Sequence, residues 1–207
     1  MKKIINLERI IKNKTIREWV EALIFALIVA MIFRTWLYAP YRVPTGSMIH
    51  TIEIGDHLFV SKHAYGFVVP FTDIKLFPDK VERNDIVVFP YPEDPSIDFI
   101  KRIVAVGGDT VEVIGETVYI NGEVEKADFV YYDNSLMTLP EHIKVTVPEG
   151  KLWAMGDNRR NSKDSRSWGF VDESSAEGKG VIIYWSHDPQ QSLFSGYRFD
   201  RIGRFLE

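Results

Sequence analysis

Residues 99–122 read FIKRIVAVGGDTVEVIGETVYING. β-Branched and aromatic residues gather in three short blocks, Phe99 to Val106, Thr110 to Ile114 and Thr117 to Ile120, with Gly, Asp or Asn between them. That punctuation predicts strands joined by tight turns. Asn121-Gly122 is the kind of pair that accepts φ > 0 at both positions, as a two-residue hairpin turn prefers, and Gly115 separates the two strands before it. The same signature recurs on either side, at His57 to Ser61, Asp85 to Phe89, Lys144 to Val147, Leu152 to Met155 and Val181 to Trp185. No long amphipathic helix is evident from Val43 onward. The expected fold class is therefore mainly β. Residues 66–82 and 123–143 lack clean periodicity and read as loops or as an excursion from the core sheet.

With 207 residues and 45% hydrophobic content, the chain can bury one sizeable core. Its net charge of −4 is unevenly spread. Residues 1–20 carry six Lys/Arg (Lys2, Lys3, Arg9, Lys12, Lys14, Arg17) against Glu8 and Glu18, which leaves residues 21–207 at −8. A negative body argues against nucleic acid as the main partner, because phosphate binding needs a basic face. The basic end suits an anionic lipid surface. Cysteine is absent, which removes disulfides, thiolate metal sites and a thiol nucleophile. His50, His57, His63, His142 and His187 fall in no metal-ligand spacing, so metal dependence is not expected.

Ala22 to Phe33 is free of charge, with Glu21 at one end and Arg34 at the other. If those two sit at the headgroups, residues 19–38 reach the roughly 20 mostly apolar residues that a span needs. Trp19, Trp36 and Tyr38 stand where an interfacial aromatic belt forms. Lys and Arg cluster ahead of the span, which places the N-terminus on the cytoplasmic side. The expected organisation is a basic cytoplasmic segment over 1–18, a transmembrane helix over 19–38 and an extracytoplasmic β-rich domain over 39–207.

Pro44-Thr45-Gly46-Ser47-Met48 follows the apolar segment closely, and Gly46 gives the backbone the freedom to project Ser47 from a turn. A nucleophilic serine needs a nearby base and donors for the developing oxyanion. Lys101 and Arg102 place two cations inside an apolar strand, and period two alone does not say which faces a site. Their chemistry separates them. Arginine stays protonated, whereas a lysine desolvated among apolar side chains loses its proton near neutral pH. Lys101 is the better base, Arg102 is expected to meet a carboxylate or solvent, and Lys62 is a weaker rival in more polar surroundings. The polar run Gly156-Asp157-Asn158-Arg159-Arg160-Asn161-Ser162-Lys163-Asp164-Ser165-Arg166 directly follows an apolar strand, from which small polar groups can be presented to a cleft.

Taken in order, three stretches resemble the signature blocks of bacterial type I signal peptidases, the leader peptidases that use a serine/lysine dyad. The first is Pro44 to Met48 with Gly55-Asp56 and Tyr65-Gly66. Next comes Asp85 to Phe89 with Tyr91-Pro92-Glu93-Asp94-Pro95, leading into Phe99-Ile100-Lys101-Arg102 and Gly107-Gly108-Asp109. The third is Gly156-Asp157-Asn158-Arg159 with Ser162, Asp164-Ser165-Arg166 and Trp168-Gly169. The resemblance covers most of residues 35–185. It implies a β-rich catalytic domain of coiled antiparallel sheets, with Ser47 as nucleophile, Lys101 as general base and no cofactor. It further implies that Ser162 orients Lys101, that the Ser47 amide and Thr45 hydroxyl form the oxyanion hole, and that Asp157, Asp164 and Arg166 support the site. The implied substrates are signal peptides of exported preproteins, cut after small residues at −1 and −3. Their pockets would be lined by Tyr41, Val43, Pro44, Met48, Leu58, Val88, Phe99 and Ile100. The bilayer and the export machinery are the implied partners, and the bacterial cytoplasmic membrane the implied location. His50 stands where the family usually has proline.

Three other readings compete. A self-cleaving repressor-type protease shares the dyad but predicts a DNA-binding domain where this chain has its apolar segment. A specialised relative acting on pilus or conjugation cargo would carry the same blocks. An inactive membrane-anchored scaffold could dispense with Ser47 and Lys101, yet both are present.

Overall fold

The computed structural model describes residues 13–68, 72, 75–134, 142–192 and 194–206. Residues 1–12, most of the expected basic segment, lie outside them. Helix α1 (Lys14–Trp36) begins at Asn13, whose Oδ1 accepts from the amides of Thr15 and Ile16 at 3.0 and 3.3 Å. Such a cap satisfies donors that the first turn leaves unpaired. Trp19, Leu23, Phe25, Leu27 and Met31 are each more than half exposed, so no protein core covers this helix. Among the described residues no helix is long and apolar enough to cross a membrane. The helix stops at Trp36 rather than at Tyr38, because Tyr38 already pairs with Ser61 in the first strand.

That strand is β1 (Tyr38–Arg42), followed by β2 (Asp56–Ser61), β3 (Phe67–Val68), β4 (Lys75–Leu76), β5 (Ile86–Tyr91), β6 (Asp94–Val106) and β7 (Thr110–Ile114). Then come β8 (Thr117–Ile120), β9 (Glu123–Val124), β10 (His142–Thr146), β11 (Lys151–Met155), helix α2 (Ser165–Trp168), β12 (Val171–Asp172) and β13 (Gly178–Ser186). The main sheet has the order β1-β2-β13-β5-β6-β11-β12, a second sheet the order β10-β7-β8-β9, and β3-β4 form a small hairpin. All strand pairs are antiparallel. Asn121 and Gly122 take φ of 53° and 85°, the two positive values the β8–β9 turn requires.

The apolar runs of the central strands are explained by burial on both faces. In β5, Ile86 and Val88 enter one cluster with Val43, Met48, Ile52 and Leu58, while Val87 and Phe89 enter a second with Ile103, Leu152 and Ala154. In β11 the alternation continues, Leu152 and Ala154 facing that second cluster and Trp153 and Met155 a third, built with the small sheet. Fully burying one such side chain is worth about 1.5–3 kcal/mol. The dense centre of β5, β6 and β11 is therefore the firmest part of the molecule.

One expected boundary shifts. β6 starts at Asp94 instead of Phe99: residues 94–98 are exposed and carry no apolar pattern, yet they pair with β5 through Pro90↔Asp98 and Tyr91↔Asp94. Within 123–143, read as loops or an excursion, the described residues supply β9 and the start of β10 to the small sheet.

Candidate active site

Residues 43–55 form a closed loop between β1 and β2. The Val43 amide donates to Asp56 O at 2.9 Å and the Gly55 amide to Val43 O at 3.0 Å. Met48 and Ile52, both fully buried, fix the loop to the core and turn Ser47 toward the cleft. The chain leaving β11 holds it from the other side: Asn158 N donates to Ser47 O at 3.0 Å, and its Nδ2 to Gly46 O at 3.2 Å. Close approach here demands glycine at 156. A Cβ on Gly156 would sit 2.4 Å from Ser47 O and 2.3 Å from Ser162 Oγ.

From the middle of β6, Lys101 Nζ reaches Ser47 Oγ at 2.6 Å and Ile100 O at 3.1 Å. The lysine is 3% exposed, and burial pulls its pKa down to about 8, with Asp164 and Asp157 opposing and Arg166 assisting. Charge is costly in such a place, so the neutral amine is accessible near physiological pH. His50 is elsewhere. Its ring contacts Glu53 and Tyr131 and lines a different depression from the one that holds Ser47.

Arg102 points to the other face and meets a carboxylate. Its Nε and Nη2 each donate at 2.9 Å to Asp157, whose Oδ2 also accepts from Thr51 Oγ1 at 2.6 Å. Both charged side chains are buried. Asp164 caps α2, accepting from the Arg166 amide at 3.2 Å and from the Gly156 amide at 3.1 Å. The Arg166 guanidinium closes on the same carboxylate at 2.7 and 2.8 Å. Asp157, Asn158, Arg159, Asp164 and Ser165 of the polar run after β11 thus form a buried, hydrogen-bonded buttress, while Asn161 and Lys163 face solvent. The Ser162 hydroxyl is buried beside Gly156 without a hydrogen-bond partner among the described residues, so the expected bond to Lys101 is not formed.

Ser47 and Lys101 open into a cleft of about 310 Å³. Tyr41, Val43, Pro44 and Thr45 line one wall, Phe99 and Ile100 the other, with Leu58 and Val88 also contributing. It is narrow and mostly apolar, as a groove for an extended chain with small side chains must be.

The family model for signal peptidase, peptidase S26, matches residues 16–185. The chain belongs to that family. Signal peptidase I of Pseudomonas aeruginosa is 32% identical, over 95% of this chain and 82% of that protein. Signal peptidase I of Aquifex aeolicus is also 32% identical, over 79% of this chain and 82% of its own length. A signal peptidase I structure from Enterococcus faecalis matches at 33% identity with a TM-score of 0.43, covering 49% of this chain and 97% of the other.

Of the residues expected from sequence, Ser47, Lys101, Thr45 and seven of the eight pocket residues line one cleft, while Ser162 makes no bond to Lys101. Met48 does not line the cleft. It follows Ser47 in a loop whose inward side chains fill the core, and it packs there with Val43, Ile52 and Leu58. The cleft also contains Ile97, Asp98, Asn161 and Lys163, which sequence reasoning missed. Asp98 stands at i−3 from Lys101 on the same strand, and had β6 been extended to Asp94 its place on the cleft would have been foreseeable.

Proposed function

We propose that Ser47 is the nucleophile and Lys101 the general base with which this signal peptidase cleaves signal peptides from exported preproteins. The observation that carries it is the 2.6 Å contact between Lys101 Nζ and Ser47 Oγ inside a buried, apolar pocket. Neutral Lys101 takes the Ser47 proton as Oγ attacks the scissile carbonyl. The oxyanion is received by the Ser47 amide and the Thr45 hydroxyl. Lys101, now an ammonium, returns its proton to the departing amine as the C–N bond breaks, leaving an ester on Ser47. Water, deprotonated by Lys101, then attacks that ester and frees the signal peptide's carboxylate and Ser47. Asp157, Asp164 and Arg166 hold the loops that carry these groups.

The apolar lining suits small residues at −1 and −3 of a substrate laid along β6. Helix α1, with its uncovered apolar side chains and the basic residues before it, supports a single membrane anchor with the N-terminus in the cytoplasm and the β domain on the outer face of the bacterial membrane. Lipid and the export machinery would be its neighbours there. The test is cleavage of a precursor with an Ala-x-Ala site by detergent-solubilised protein. Wild type should cleave, while folded Ser47→Ala and Lys101→Arg should not, since arginine keeps the charge but cannot give up its proton. Cleavage retained by either variant would refute the assignment.

A further inference from the structure

Away from Ser47 the cleft changes chemistry. Asp98 lies three residues before Lys101 on β6, about 10 Å at the rise of a strand. There the apolar lining gives way to Tyr41 and Asp98. Tyr41 Oη donates to Glu177 Oε2 at 3.0 Å. Lys62 Nζ donates to the same Glu177 oxygen at 2.6 Å and to Tyr41 Oη at 3.2 Å. Asp98 lines the same end of the cleft as Tyr41. Glu177 is fixed in turn by its amide, which donates to Val88 O at 2.8 Å.

This corner holds two carboxylates and one lysine, and Glu177 has the lysine. Asp98 forms no ion pair among the described residues. Arg42 and Lys163 line the cleft too, but Lys163 is bound to Glu93 at 2.8 Å, and Arg42 pairs with neither carboxylate among the described residues. Burial raises the Asp98 carboxyl above its ordinary value and Glu177 raises it further, with Lys62 and Tyr41 offsetting only part. Carboxylates crowded in this way gain from an incoming positive charge.

We propose that Asp98, backed by Glu177 behind Tyr41, makes this end of the cleft a subsite that selects a cationic side chain on the substrate. The reading rests on the placement of the −1 and −3 residues between Ser47 and this corner, so the cation would belong to a residue at −4 or −5. A lysine or arginine there supplies the missing charge to a carboxylate pair whose geometry is already set by Tyr41 and Lys62. A glutamate at the same place meets repulsion. Selectivity of this kind combines attraction for one substrate with rejection of another.

The experiment uses the detergent-solubilised full chain and peptides sharing one Ala-x-Ala site, with Lys, norleucine or Glu placed in turn at −4 and −5. The ratio of kcat/KM for Lys over Glu is internal to each enzyme preparation and is unaffected by the fraction folded. Wild type is expected to favour Lys about tenfold or more at one position, with norleucine between. Asp98→Asn and Glu177→Gln should each lower that ratio, and the double variant should bring it to within about twofold. A wild-type ratio near one at both positions, or a ratio that survives both substitutions, would overturn the proposal. If the parent Ala-x-Ala peptide itself goes uncleaved, the failure lies with the dyad assignment instead.

Discussion

A lysine with 3% of its surface exposed has lost most of the hydration its ammonium needs, and Lys101 responds by titrating near 8 instead of 10.5. Only the neutral amine can accept the Ser47 proton. We therefore expect kcat/KM on a peptide substrate to climb with pH, pass half-maximum near 8 and level off above it, as a pH–rate profile would record. The same burial costs stability. The folded pKa lies below the unfolded one, so the penalty is fully present below pH 8 and disappears as pH rises toward 10.5. At about 1.4 kcal/mol per pKa unit, it is on the order of 3 kcal/mol at neutral pH. Lys101→Met should thus be inactive yet more stable at pH 7, with the gain fading by pH 10.5 in urea titrations. Ser47 and Lys101 stood out in the sequence because each sits in a compact local pattern and only one of two neighbouring cations can act as a base, and the fold brings the two into contact. Met48 was misread because its direction depends on a loop closure set by Asp56 and Asn158, residues distant in sequence.

Elements position these groups more than their own sequences do. The nucleophile loop is clamped between the β1–β2 pairing and the chain emerging from β11, and Gly156 is where the clamp has least room. Gly156→Ala should push the Ser47 carbonyl away and cost more than about 100-fold in cleavage rate, because misplacement near 1 Å is enough for such losses. Circular dichroism should show the sheets intact. Strands with apolar alternation, such as β5, β7 and β11, could be read almost residue for residue. β1 could not, since Tyr38 and Trp36 look alike as interfacial aromatics and only pairing with β2 separates helix from strand. The exposed half of β6 escaped for the opposite reason: its order comes from β5 and leaves no hydrophobic trace.

Across the whole molecule, the two sheets are tied at the site by Arg159. Its guanidinium grips Glu125, just beyond β9, at 2.6 and 2.9 Å, and both side chains are largely buried. Glu125→Ala would strand that arginine, so a loss of about 3–5 kcal/mol is expected in equilibrium unfolding, with cleavage falling in the same samples. None of this pairing could be seen in the sequence, where Glu125 lies in a stretch without periodicity. Nor could the strand order, because antiparallel partners far apart in the chain are chosen by shape and burial. Its most consequential entry is β13, which lies between β2 and β5. The half of the sheet that carries Ser47 and the half that carries Lys101 meet across a strand the ribosome makes only after both. A growing chain would bring Ser47 and Lys101 into one sheet only after residues near 186 had emerged, so the site would be assembled late, by a strand that carries neither residue.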